Sequence, residues 1–367
     1  MERRDFTRYL SSLLLCSALP RVSSASQKGD SEQHWFASAS VDAKGKHWLL
    51  AFDQEGTQQL RYALPSRAHQ VIKHPHQPWL LVVSRRPGNY LLVIDMPSGK
   101  LVSQYTAQEQ QHFCGHMQIS SNGQLLYTTE NITATSEGQV VVRDLYASGK
   151  VVGQFSSGGI GPHQLKLTAL QDKLIVANGG IHTRGREKLN LEVMQANLSY
   201  INLASQSIEQ QVVLDADLAQ LSIRHIDVNQ EGQVLIAMQY QGERTAQVPL
   251  VALHKPDTGL SFLEIPKAEY FSLQHYCGSA CFDRSGQIMA VSAPRGDRVL
   301  FWRVANAEFI TSVKVRDGCG IAPAEAANEF VISSGRGRVY RYNPLLASKA
   351  LMLNNSALQW DNHLASI

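Results

Sequence analysis

The chain has 367 residues, of which 44% are hydrophobic and 18% charged, and its formal net charge is +3. This composition supports a packed core and excludes an intrinsically disordered protein, while the near balance of charge excludes the strongly basic field of a nucleic-acid or membrane-surface binder. No run after residue 25 approaches the roughly twenty apolar residues that a membrane-spanning helix needs.

Residues 2–10 (ERRDFTRYL) set paired arginines before an aromatic residue, residues 10–19 (LSSLLLCSAL) supply a short apolar stretch, and residues 23–25 (SSA) offer small side chains for cleavage. The pattern predicts a twin-arginine-type signal peptide over residues 1–25 and a periplasmic mature protein. An ordinary secretory leader gives the same destination. Its removal takes away Arg3, Arg4, Arg8 and Arg21 with Glu2 and Asp5, leaving a net charge of +1. Residues 26–33 read as a linker and 34–367 as one domain.

Seven apolar runs then climb to polar tips near Gly or Asn: residues 35–45 (WFASASVDAKG), 79–88 (WLLVVSRRPG), 125–131 (LLYTTEN), 174–180 (LIVANGG), 234–242 (VLIAMQYQG), 288–296 (IMAVSAPRG) and 330–337 (FVISSGRG). Each is followed by another strand and a turn, as in residues 140–152 (VVVRDLYASGKVV). Recurrence of a β-rich unit about forty to sixty residues long is the mark of a propeller blade, so the expected fold is all-β, a seven-bladed β-propeller.

Aligning the strand ahead of each run gives 68–73 (AHQVIK), 115–120 (GHMQIS), 162–167 (PHQLKL), 224–229 (RHIDVN), 278–283 (GSACFD) and 319–323 (CGIAP). The first unit lacks such a strand, and the tail, 362–367 (NHLASI), is expected to return and close the ring. Equivalent positions on innermost strands surround one axis. His69, His116, His163, His225 and His363 are therefore expected as an incomplete ring at one channel mouth, with Ser279 and Gly320 at the other two places. Converging neutral imidazoles suit a transition metal or haem iron, with iron, haem or copper as the candidate cofactors. The competing reading is that each histidine caps its own strand. A site off-centre, near His69, His116 and His163 with His363 joining them, is favoured.

The tips of the runs and the flanks of the histidine register carry the candidate ligand-binding residues Arg67, Arg85, Arg86, Glu130, Asn131, Asn178, Arg224, Arg295 and Arg336, expected around the ring. Arginine forks there would hold a carboxylate or phosphate. The insertion at 182–197 (HTRGREKLNLEVMQAN) leaves from the same tip as Asn178 and is read as a lid or partner contact, adding His182, Arg184 and Arg186. Of the cysteines outside the leader, Cys277 and Cys319 are the candidate disulfide; Cys277 and Cys281 would be roughly 13 Å apart along a strand. No C-x-x-C-H is present for covalent haem attachment.

Residues 126–131 through 140–152 resemble the YVTN-type propeller repeat. The paired-arginine leader, 85–88 (RRPG), 115–116 (GH), 127–131 (YTTEN), 159–163 (GIGPH), 177–183 (ANGGIHT), 188–191 (KLNL), 222–225 (SIRH) and 360–363 (WDNH) together resemble an uncharacterised family of exported proteobacterial propellers. The resemblance runs over nearly the whole mature chain. Members of that family are often encoded beside imelysin-type periplasmic proteins and a dihaem oxidoreductase, which implies a role in periplasmic iron acquisition with those proteins as partners. It brings no catalytic residues.

Three functions follow: a metal- or haem-binding module, a metal-assisted, lactonase-like hydrolase using Glu130 and His163, and an interaction scaffold. No standard hydrolase motif such as G-x-S-x-G or H-E-x-x-H supports the second.

Overall fold

The computed structural model describes residues 34–185, 187–256 and 259–367. The leader, the linker and Arg186 lie outside the described residues.

The recurring runs form strands because each is apolar on both faces. In Trp79–Ser84, Leu80, Leu81, Val82 and Val83 are all fully buried, since a blade lies between two neighbouring blades and neither face meets water. Exposure rises outward: the fourth strand of the same sheet, Leu101–Thr106, buries only Tyr105. At the turns between third and fourth strands a carboxylate or amide collects backbone donors, as Asp95 does from Ser98 and Asp144 from Tyr146 and Ala147. The sequence rhythm of apolar run, polar tip and Asp/Asn turn thus builds one antiparallel sheet per repeat.

Seven such sheets form a ring, the expected seven-bladed β-propeller. Strands are lettered a to d from the axis outward. Blade 2 is Ala68–Lys73, Trp79–Ser84, Tyr90–Asp95 and Leu101–Thr106, and the a strands of blades 3 to 7 are Gln111–Ile119, Pro162–Leu167, Leu221–Val228, Ser279–Phe282 and Gly318–Pro323. All seven recurring runs fall on b strands.

The tail closes the ring as expected. Leu358–Trp360 and Ala365–Ser366 both pair antiparallel with Phe36–Asp42, the b strand of blade 1, and Trp35 and Ile367 exchange backbone hydrogen bonds of 3.0 and 2.8 Å. Trp360 packs its ring 5.6 Å from that of Phe52, and Leu358 and Leu364 join the same core against blade 7. Without this segment the Phe36–Asp42 edge would be unpaired.

The expected Cys277–Cys319 disulfide is not formed: among the described residues all four cysteines are free and buried. The two thiols face different cores. Cys277 lies in the core of blades 4 to 6, while Cys319 lies in that of blades 7 and 1, its Sγ 3.2 Å from the carbonyl of Asp361.

Trp360→Ala is expected to lower the free energy of unfolding by about 3–5 kcal/mol, read from the midpoint of urea denaturation. An unchanged midpoint would show that the tail does not hold the ring closed.

Candidate functional site

A regular strand would alternate its side chains between the two faces of the blade. The histidines instead converge on one another at the axis, and pairing breaks at or next to them. In blade 2 Ala68 faces Ser84 but Val71 faces Val82, so His69 and Gln70 share one partner position. The same interruption falls at Cys114–His116, His163–Gln164, Arg224 and Cys319–Gly320, and in blade 1 between Trp360 and Ala365, around His363. Only the pairing of the sixth blade, where Ser279 stands, runs without a shift. A bulge of this kind re-aims a side chain and frees a backbone donor. Two of those donors are caught from the preceding blade in the register: Gln70 Oε1 accepts from Met117 N at 2.7 Å and Gln164 Oε1 from Ile226 N at 3.1 Å.

Two glycines set the spacing. Gly115 has φ +100°, and a Cβ there would stand 2.7 Å from Cδ2 of His69, so the glycine lets His69 and His116 approach. At Gly320 a Cβ would stand 2.8 Å from the backbone nitrogen of Leu364. The returning tail occupies the place that a seventh-blade side chain would take.

The structure brings all five histidines together. His116 lies with its ring centroid 4.9, 4.6, 5.7 and 4.6 Å from those of His69, His163, His225 and His363. Two triads, His69–His116–His163 and His116–His225–His363, each place one ring nitrogen per residue within 4.8 Å of the others. His116 belongs to both. It is fully buried, and neither of its ring nitrogens has a hydrogen-bond partner; Nδ1 of His225 also lacks one.

His69 is oriented by a carboxylate. Its Nδ1 lies 3.0 Å from Oδ1 of Asp361, which also receives Nε of Arg67, and its Nε2 faces Nε2 of His363 at 3.2 Å. With Nδ1–H donating to Asp361, Nε2 keeps its lone pair, the arrangement by which a carboxylate fixes the tautomer of a metal-ligating imidazole. Desolvation alone would raise the Asp361 carboxyl, but the hydrogen bond from His69 and the Arg67 guanidinium outweigh it and hold the group far below its ordinary range. Burial lowers the pKa of all five histidines, and for His116, His163, His225 and His363 the fall is large and reinforced by neighbouring imidazoles or basic side chains. The cluster is therefore uncharged at neutral pH, the form that binds metal.

The histidines separate two openings. On one side His69, His163 and His225 floor a cavity of about 360 Å³ whose walls carry Arg85, Arg86, Lys188, Arg224 and Arg295 with Cys114, Gln239, Tyr276 and Asn362. On the other side His363 faces Gln70, Gln164, Ser279 and the Lys166–Asp227 ion pair, whose separation is 2.7 Å.

Of the candidate ligand-binding residues, Arg85, Arg86, Arg224 and Arg295 reach the first cavity. Arg67 is drawn aside by Asp361 into a neighbouring cleft. Arg336 is exposed and turns toward Asp317. The other expectations at the tips are corrected. Glu130 is fully buried between blades, where Oε1 accepts from Arg143 at 2.6 Å and Thr128 at 2.8 Å, so it does not line the cavity. Asn131 is also fully buried and is not among the residues lining the cavity. Asn178 is consumed by Ser157, Asn197 and Ser199. The insertion does bend over the mouth: Thr183–Arg184 pairs with Glu187–Lys188, and Gly185 and Lys188 line the cavity, while Arg184 is exposed and His182 is held through its backbone to Asn190. Sequence reasoning missed Asp361, Lys188, Tyr276 and Asn362. Asp361 stands two residues before His363, so its nearness to the ring was available from the tail alignment.

A family model described as "Protein of unknown function (DUF1513)" matches residues 62–367. No curated protein matches the sequence. Among solved structures, the hydrazine synthase of Kuenenia stuttgartiensis has a TM-score of 0.63 at 10% identity, over 87% of this chain and 95% of that one. In all, 1355 solved chains match, so the fold by itself selects no activity.

Because the folded histidine pKa values lie below the unfolded 6.5, the unfolded chain binds protons that the folded one excludes as pH falls through that value. Metal-free protein is thus expected to lose stability from about pH 6.5 downward, by up to about 1.4 kcal/mol per pH unit for each histidine. His116→Phe is expected to make the decline shallower in urea titrations at a series of pH values. A stability flat over that window would contradict the neutral, buried cluster.

Proposed function

The chain belongs to the DUF1513 family, and from its own site we propose that it is a metal-binding propeller whose channel histidines hold one first-row transition-metal ion. The observation that carries this is His116, fully buried with both ring nitrogens unbonded at the meeting point of two histidine triads. An unpaired buried polar group costs about 1–3 kcal/mol. A bound cation offsets that cost, and protonation does not, since burial disfavours the charged ring. The donors fit the ion: imidazole nitrogens suit iron, copper and zinc, and His69 already has the carboxylate partner of a metal ligand.

On this reading His116 binds together with His69 and His163 or with His225 and His363. A bare or chelated ion fits better than haem. The ring centroids of neighbouring histidines lie as close as 4.4 to 4.9 Å, which leaves no slot for a porphyrin between two of them.

Export and iron acquisition complete the proposal: the paired-arginine leader supports a periplasmic location, and the family resemblance supports iron uptake beside imelysin-type and dihaem partners. No helix among the described residues is long and apolar enough to cross a membrane. The hydrolase alternative loses its base, because Glu130 is tied to Arg143 away from the histidines.

The test is the metal content per chain of protein exported through its own leader and purified without chelator. About one equivalent of iron, copper or zinc is expected, lost in the His116→Ala/His163→Ala double variant, whose folding is checked by circular dichroism. Asp361→Asn is expected to weaken affinity by about 10–100-fold. Metal-free protein that none of these ions binds or stabilises would overturn the proposal.

A further inference from the structure

The cavity above the histidines is unusual in its charge. Arg85, Arg86, Lys188, Arg224 and Arg295 converge on about 360 Å³, and among the described residues no carboxylate lines it. Among these cations, Arg295 stacks on the ring of Tyr276 at 4.3 Å, and Lys188 donates to Oε1 of Gln241. Arg224 is different. It is the extra residue of the blade 5 bulge, placed there by the backbone next to His225, and its Nε and Nη1 are shut off from solvent with no hydrogen-bond partner. Gly179 leaves the room it occupies, since a Cβ at that position would stand 2.9 Å from Nη1.

Burying a guanidinium without acceptors is costly, and gathering further cations around it adds repulsion. The strain is visible in two groups. Burial and the neighbouring Arg86 bring the Arg224 pKa down to about 10, and burial with Arg224, Arg295 and Arg86 lowers that of Lys188. Forked N–H donors facing a small polar chamber are the arrangement that binds planar or tetrahedral oxyanions.

We infer that this cavity binds a small multivalent oxyanion, a di- or tricarboxylate or a phosphate, gripped by Arg224 with Arg86, Arg295 and Lys188 over the histidine floor. His163 and His225 border the same chamber, so the anion sits where it can bridge the guanidinium and the metal. This deepens the metal reading by making the cargo a metal with its anionic chelator; the anion site itself stands on the arginines and is testable without any metal. Size sets the limit, since a chamber of this volume takes an anion of citrate's dimensions and not a large siderophore.

The experiment is calorimetric titration of metal-free, full-length mature protein with citrate and, separately, inorganic phosphate. One site per chain is expected for at least one of them, and which one identifies the source of the oxyanion. Arg224→Gln is expected to weaken that binding at least tenfold and Arg224→Lys less, because charge is kept and the fork is lost. Because the titration is made on metal-free protein, failure of the anion site is read separately from failure of the metal site. Absence of binding by both anions, or equal affinity in a folded Arg224→Gln variant, would overturn the inference.

Discussion

Closure of seven sheets about one axis is the constraint on which the rest depends. A ring gives the innermost strands equivalent positions, so one residue type repeated at one register is delivered to one point in space. Strand pairing alone would not aim those side chains inward. The bulges do, at the histidine register of blades 2 to 5 and in the closing tail, and Gln70 and Gln164 recover backbone donors that the bulges release. The fold therefore spends regular hydrogen bonding at the axis to assemble a chemistry that no single blade contains.

The assembled groups are held in a state that folding by itself does not favour. Neutral imidazoles pack against one another with nitrogens unbonded, and two nitrogens of a guanidinium beside them are shielded from water without an acceptor. Folded proteins are stable by only about 5–15 kcal/mol, so several such groups in one place are a substantial fraction of the whole. On the proposed reading a cation below and an anion above resolve both deficits together, each lowering the cost of burying the other. The Asp361–His69 contact is the anchor that presets this geometry, since it fixes one ring before any ligand arrives.

Much of this was legible in the sequence because it repeats. The b-strand runs announce themselves by being apolar on both faces, the histidines by recurring at one place ahead of them, and the closing tail by supplying the histidine that the first unit lacks. What does not repeat was harder to read. Glu130 and Asn178 share the tip position with Arg85 and Arg295, yet they serve the contacts within and between blades, because a tip side chain can turn into the sheet as readily as over the mouth. Cys277 and Cys319 are near one register but lean toward opposite neighbours, a difference of rotation about the strand that spacing does not encode. Lys188 comes from an insertion found in one blade, so no alignment of repeats could place it at the cavity.

The central claim is that the channel histidines are the ligands of a metal ion. X-ray absorption at the edge of the metal carried by the purified protein tests it most directly. The account predicts at least three nitrogen scatterers at about 2.0–2.1 Å with the outer-shell multiple scattering of imidazole rings, diminished in His116→Ala. A shell of oxygen or sulfur without imidazole scattering, unaltered by that substitution, would contradict it.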